Sequence, residues 1–148
     1  MHLSYDDDTL RTVLTSVEVI ALVGASPKPQ RDSHRVMAYL QAHGYRVIPV
    51  NPNAGCDELL GERVYASLEA IPPTIKVGMV EVFRRSEEVP EIAEAAIRIG
   101  ARVLWLQLGV IHGAAARRAT DYGLQVVMDR CPKLDIPRLG LEAALSSR

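Results

Sequence analysis

The residues best equipped for chemistry stand together in one stretch, Gly24-Ala25-Ser26-Pro27-Lys28-Pro29-Gln30-Arg31-Asp32-Ser33-His34-Arg35. A glycine, two serine hydroxyls and the cations Lys28, Arg31 and Arg35 are what a turn needs to hold a ligand bearing several phosphates. A dinucleotide-binding turn would read G-x-G-x-x-G, yet Ser26 and Pro29 stand where its second and third glycines would fall. The stretch is also longer than that pattern, and two prolines stiffen it. What survives is the physical core of the motif: a tight turn, backbone N–H groups, hydroxyls and a helix N-terminus. A solvated loop with incidental basic residues is the competing reading.

Four further positions carry chemical signal. Val50-Asn51-Pro52-Asn53 has no carboxylate until Asp57. A site for NAD places an acid there to hold the ribose hydroxyls, whereas a phosphorylated ribose would be repelled by one. Asn51 and Pro52 therefore disfavour NAD and leave NADP or coenzyme A open, while also fitting a plain turn. Val82-Phe83-Arg84 offers the only phenylalanine, whose ring could pack on a base or a pantetheine arm, or simply join the core. Gln107-Leu108-Gly109 offers an amide and a backbone free of a side chain. Arg130-Cys131-Pro132 puts a thiol beside an arginine, where its pKa could fall, although a free cysteine often packs as a small hydrophobe. The four histidines, His2, His34, His43 and His112, show no metal-ligand spacing. No Ser–His–Asp set or pair of carboxylates can be assembled, so the pattern reads as a binding site with no catalyst.

The elements that would position these residues follow from hydrophobic period. Asp6 to Val17 reads as a short helix, with acids at its start and Leu10, Val13, Leu14 and Val17 at helical spacing. Val19 to Val23 is a continuous apolar run, as expected of a strand covered on both faces. Ser33 is expected to cap a helix through Val36, Met37 and Leu40 that ends at Gly44. Tyr45 to Val50 reads as the second strand, and Ala54 to Pro73 as irregular with a short strand at Val64-Tyr65. Val77 to Val82, Val103 to Leu106 and Leu124 to Met128 read as further strands, with Trp105 in the core. Between them lie a helix capped by Ser86 and stopped at Gly100, and a helix from Ala114 to Tyr122. Alternating strands and helices predict an α/β fold: a Rossmann-like, doubly wound, mainly parallel sheet of five to six strands with helices on both faces. Ligands of such sheets sit beyond the carboxyl ends of the strands, where strand order reverses. Every position singled out above is at one of those ends.

Bulk composition narrows the class. The 148 residues are 48% hydrophobic and 24% charged with a net charge of -1, which suits one soluble domain over 1–148 and gives no electrostatic case for nucleic acid. Cys56 and Cys131 form no CxxC pattern, which fits a reducing cytoplasm. The first residues lack an apolar signal region, and no apolar run is long enough to enter a membrane.

These residues resemble a known family, the small CoA-binding proteins related to the N-terminal domain of the succinyl-CoA synthetase α-subunit. The resemblance rests on Val23 to Pro29, Ser33-His34-Arg35-Val36-Met37, Val47 to Pro52, Val82-Phe83-Arg84, Leu104 to Gly109 and Met128 to Pro132, and spans about Val19 to Leu139. It implies coenzyme A or an acyl-CoA along the strand ends. Gly24, Ala25, Ser26, Pro27, Lys28, Arg31, Ser33, His34, Asn51 and Pro52 would hold the nucleotide end. Val82, Phe83, Arg84, Gln107 and Gly109 would line the pantetheine route, with Cys131 near the CoA thiol. The second domain of the synthetase, with its phosphorylated histidine, has no counterpart among these motifs, so ligase activity is not expected of this chain alone. The expectation is a CoA-binding module without catalysis. The alternatives are a CoA-linked acyl-transfer component or an NADP-type oxidoreductase, and a homodimer or protein partner is left open.

Overall fold

The computed structural model describes residues 4–148, so His2 lies outside the described residues. Strands β1 (Val19–Val23), β2 (Arg46–Val50), β5 (Met79–Val82), β6 (Val103–Leu106) and β7 (Gln125–Val127) form one parallel sheet in the order β2-β1-β5-β6-β7. The two remaining strands, β3 (Glu58–Leu59) and β4 (Glu62–Arg63), make a small antiparallel hairpin. This is an α/β Rossmann-like fold. Strand order reverses between β1 and β5, which opens a crevice at their carboxyl ends.

Strand pleat divides the buried residues into two cores. Ile20, Leu22, Met79, Val103, Trp105 and Val127 face one side, where α1 (Asp7–Ser16), α2 (Asp32–Ala42), α5 (Pro132–Arg138) and α6 (Glu142–Ser146) cover them. Ala21, Val23, Val80, Val82, Leu104 and Leu106 face the other, under α3 (Val89–Arg98) and α4 (Gly113–Asp121). Both faces are apolar because both are covered, which is why the strands read as unbroken hydrophobic runs. Trp105 is fully buried and its indole N–H donates to the Arg130 carbonyl at 2.9 Å, tying β6 to the loop after β7. Among the described residues no helix is long and apolar enough to cross a membrane.

Several local expectations are corrected. Ser33 does not cap α2; that place belongs to Arg31, and Ser33 sits inside the first turn, buried, its hydroxyl accepting from the Ser26 N–H at 3.1 Å. Ser86 does not cap α3 either. A 3₁₀ turn, Ser86–Glu88, precedes that helix, and the Ser86 hydroxyl accepts from the Ile111 N–H at 3.0 Å. In both cases a serine near a helix start is drawn to a neighbouring loop instead of its own helix. Val64-Tyr65 forms no strand; Tyr65 makes a single parallel bridge to Val50. The segment 133–148, read as a tail, holds most of α5 and all of α6, with Ile136, Leu139, Leu141 and Leu145 in the first core. Pro132 supplies the start of α5, since a proline at the first helical position gives up an N–H that has no partner there anyway.

One residue breaks the apolar pattern. Glu81, next to last in β5, is paired in register between Leu22 and Trp105 and is 0% exposed. Among the described residues neither carboxyl oxygen has a hydrogen-bond partner. Burial pushes its pKa well above the ordinary 4.5, and the nearby Cys131 thiol adds to the shift. The unfolded chain loses this proton above about 4.5, while the folded protein keeps it. Glu81 therefore leaves stability intact below that pH and lowers it as pH rises toward the folded value, by about 1.4 kcal/mol per pH unit. Glu81→Leu is expected to raise the urea midpoint, with the gap between the two proteins widening from pH 5 to pH 8. A gap that does not change with pH would show that Glu81 is already ionised in the folded protein.

Candidate functional site

At the end of β1 the chain turns through Gly24, whose φ is +92°. Gly24 N–H donates to the Val50 carbonyl at 2.8 Å, and Ala25 N–H shares the same acceptor at 3.3 Å. On its other side Gly24 lies so near β5 that a Cβ would stand 2.3 Å from the Phe83 carbonyl oxygen. A side chain is excluded twice over, by conformation and by space. The loop beyond is held by Ser26: its N–H donates to Ser33, and its hydroxyl accepts from the Lys28 N–H at 3.2 Å. Asn51 ties the loops after β1 and β2 together. Its side-chain N–H donates to the Ala25 carbonyl at 2.8 Å, and its side-chain oxygen accepts from the Asn53 N–H at 2.8 Å. Asn51 is thus engaged with the protein through both ends of its amide.

Three adjoining clefts follow the strand ends. The first, of about 640 Å³, is polar and gathers Gly24, Ser26, Pro27, Lys28, Arg31, Ser33, Asn51, Phe83 and Arg84. A second, of about 350 Å³, lies on the α3 side and shares Gly24 and Arg84 with it, adding Pro52, Ser67 and Ile92. The third, of about 570 Å³, continues past Phe83 and Arg84 to Gln107, Leu108 and Val110. Phe83 and Arg84 thus stand where the first and third clefts meet.

The charges here are unequal. Arg84 is bound to Glu88 at 2.7 Å, and this guanidinium holds the Glu88 carboxyl below its usual value. Arg35 pairs with Asp32 at 2.9 Å, and Arg98 with Glu69 at 2.7 Å. Lys28 and Arg31 have no such partner among the described residues, and both are exposed on the first cleft. At the far end the Gln107 side-chain oxygen is buried without a hydrogen-bond partner among the described residues.

Five of the expected residues line none of these clefts. Ala25 and Val82 are buried, with Val82 in the α3-side core. His34 lies in the first turn of α2 and gives its N–H to the Arg31 carbonyl at 3.1 Å. Gly109 N–H donates to the Asp129 carboxylate at 2.7 Å. Cys131 corrects the expectation of a thiol on the rim: at 7% exposure it belongs to the core beside α1, α2 and α5. Arg130 does not turn toward it, because its guanidinium pairs with Asp135 instead. The sequence reading missed Glu81 and Glu88. The first hides inside an apolar run, where a lone acid is the available signal. The second stands four residues after Arg84, at ion-pair spacing.

The profile of a family described as CoA binding domain matches residues 18–137. The Bacillus subtilis (strain 168) protein YneT, described as uncharacterized, is 39% identical over 125 residues, covering 84% of this chain and 90% of that one. A hypothetical protein from Pyrococcus horikoshii OT3 of known structure is 40% identical, with a TM-score of 0.85 over 94% of this chain and 99% of that one. The acetyl-coenzyme A synthetase 1 of Ca. Korarchaeum cryptofilum is 25% identical, with a TM-score of 0.62 over 74% of this chain but only 25% of the synthetase.

The close approach at Gly24 has a measurable consequence. Gly24→Ala is expected to destabilise the protein by at least about 2 kcal/mol in urea unfolding, combining a left-handed penalty with displacement of the Phe83 backbone. Gly55→Ala is the control, because Gly55 has φ +75° but nothing within 4 Å of a Cβ. It should lose only the conformational part, and equal losses would mean that the contact with β5 is slack.

Proposed function

The chain belongs to the CoA binding domain family, and from that membership we propose that it binds coenzyme A, free or as an acyl-CoA, across the carboxyl ends of β1, β2, β5 and β6. The observation that carries this reading is the polar cleft at the strand-order reversal, where Lys28 and Arg31 stand without acidic partners among the described residues, beside Ser26 and the start of α2. Two free cations, a hydroxyl and a helix N-terminus suit the diphosphate and ribose phosphate of CoA. In this reading Gly24, Ala25, Pro27, Ser33, His34, Asn51 and Pro52 shape the nucleotide end. The run from Phe83 and Arg84 to Gln107 leads the pantetheine arm away, with Val82 and Gly109 holding that path in place.

We read the chain as a binding module of the cytoplasm, a carrier, sensor or partner subunit, with residues 1–148 as one CoA-binding unit. The charged groups around the clefts support binding over proton transfer, because Arg84, Glu88, Asp32 and Glu69 are each held in ion pairs.

Calorimetric titration with CoA, NAD and NADP is expected to rank CoA tightest, and equal or tighter NAD or NADP binding would overturn the reading. Lys28→Ala and Arg31→Ala should each weaken CoA by roughly 10- to 100-fold, the worth of one well-formed charge-assisted contact. Dephospho-CoA should show a smaller loss for at least one of the two. Unchanged affinity in both variants would return the loop to solvated surface.

A further inference from the structure

The sheet has a second edge, where β1, β2, β5 and β6 begin, and a cavity of about 490 Å³ opens there. Arg46, Lys76, Arg102 and Arg148 line it, against one acidic side chain, Glu18. Arg46 is matched by Glu62 at 3.0 Å. Lys76, Arg102 and Arg148 have no acidic partner among the described residues, and all three are exposed.

Two of these cations are fixed by the backbone. The Arg102 guanidinium donates to the Ser16 carbonyl at 2.7 Å, and the Arg148 guanidinium to the Val17 carbonyl at 2.8 Å. The second also lies over the ring of Tyr45, 4.8 Å from its centroid, and Tyr45 is itself buried. Helix α1 has no basic residue in its own last turn, so these distant arginines close its carboxyl end. That role accounts for one hydrogen bond from each guanidinium, which has five N–H donors. It does not account for the charge. A helix end carries about half a negative charge, and Glu18 adds one carboxylate, while three unmatched cations converge on the same cavity. The Thr15 and Ser16 hydroxyls donate to the Arg11 and Val13 carbonyls, at 2.7 and 2.8 Å, and do not offset it.

We infer that this cavity is a binding site for a small oxyanion of two or more charges, a phosphate ester or a polycarboxylate, on the edge of the sheet away from the clefts at the strand ends. Guanidinium groups meet such oxygens through paired N–H donors, and a lysine adds a point charge. Because Ser16 and Val17 already hold the two arginines in place, little side-chain freedom is lost when an anion arrives. Strands of four or five residues, at about 3.3 Å each, put roughly 15 Å between this cavity and the loop bearing Lys28 and Arg31. The inference therefore does not rest on the CoA reading. Glu18 opposes binding, which gives the test two directions.

The test titrates full-length ¹⁵N-labelled protein with inorganic pyrophosphate and, in a parallel arm, with citrate, reading amide chemical shifts with and without CoA. Saturable shifts are expected at Ser16 to Val19, Gly78, Arg102 and Val103 in both conditions. The tighter of the two anions then identifies phosphate or carboxylate as the preferred chemistry. Lys76→Gln, which leaves the α1 cap alone, should weaken binding at least about fivefold through loss of one charge-assisted contact. Glu18→Gln should strengthen it by about twofold, as expected for an exposed like charge in high dielectric. Neither exposed substitution should move the urea midpoint. Shifts confined to residues 24–35, the same shifts from sodium chloride at equal ionic strength, or an affinity unchanged in both variants would each overturn the inference. Loss of CoA binding alone would not, because the amide signals report the two edges of the sheet separately.

Discussion

Gly24 lies between two strands that the chain reaches far apart in sequence. Its N–H is held by the Val50 carbonyl at the end of β2, and its Cα faces the Phe83 carbonyl after β5 with room for no side chain. Three strand ends thereby meet at the point where strand order reverses. If that approach were looser, the loop bearing Lys28 and Arg31 would lift away from Phe83 and Arg84, and the clefts would no longer run together. The Asn51 amide reinforces the same junction by joining Ala25 to the turn after β2. The site is thus set by backbone and by residues that themselves need no ligand.

On this scaffold the charges fall into two groups. Most arginines are satisfied within the protein, as Arg35, Arg84, Arg98, Arg118 and Arg138 show, and exposed pairs of this kind contribute little to stability. They do keep those cations from competing for an anion. Lys28 and Arg31 have no acidic partner among the described residues, and both line the polar cleft, so their positive potential is directed at it. The chain belongs to the CoA binding domain family, and coenzyme A, the ligand proposed here, carries phosphates that would suit that potential.

Glu81 runs against the economy of the rest of the core. Around it the sheet is apolar on both faces, and Trp105, the largest buried side chain, has its one polar atom satisfied by the Arg130 carbonyl. A carboxyl left unpaired in such a place lowers stability at neutral pH.

Much of this protein was legible in its residue order, because the signals involved are local. Mainly apolar runs of four or five residues, three of them followed by a helical period that closes on a glycine, determined a parallel sheet covered on both faces. They also placed the loops after Val23, Val50, Val82 and Leu106 at one edge. The positions of Gly24, Lys28, Arg31, Phe83 and Gln107 along that edge followed directly. What the order of residues could not decide was where each polar side chain would spend its hydrogen bonds, since the partners are brought together by the sheet and lie many residues apart. Ser33 turned to Ser26 and Ser86 to Ile111 instead of capping their helices, and Asn51 turned to Ala25. Arg130 went to Asp135, leaving Cys131 in the core and away from the rim. Glu81 looked like one acid in a strand, and only the pairing of β5 between β1 and β6 decided that it would be sealed from water on every side.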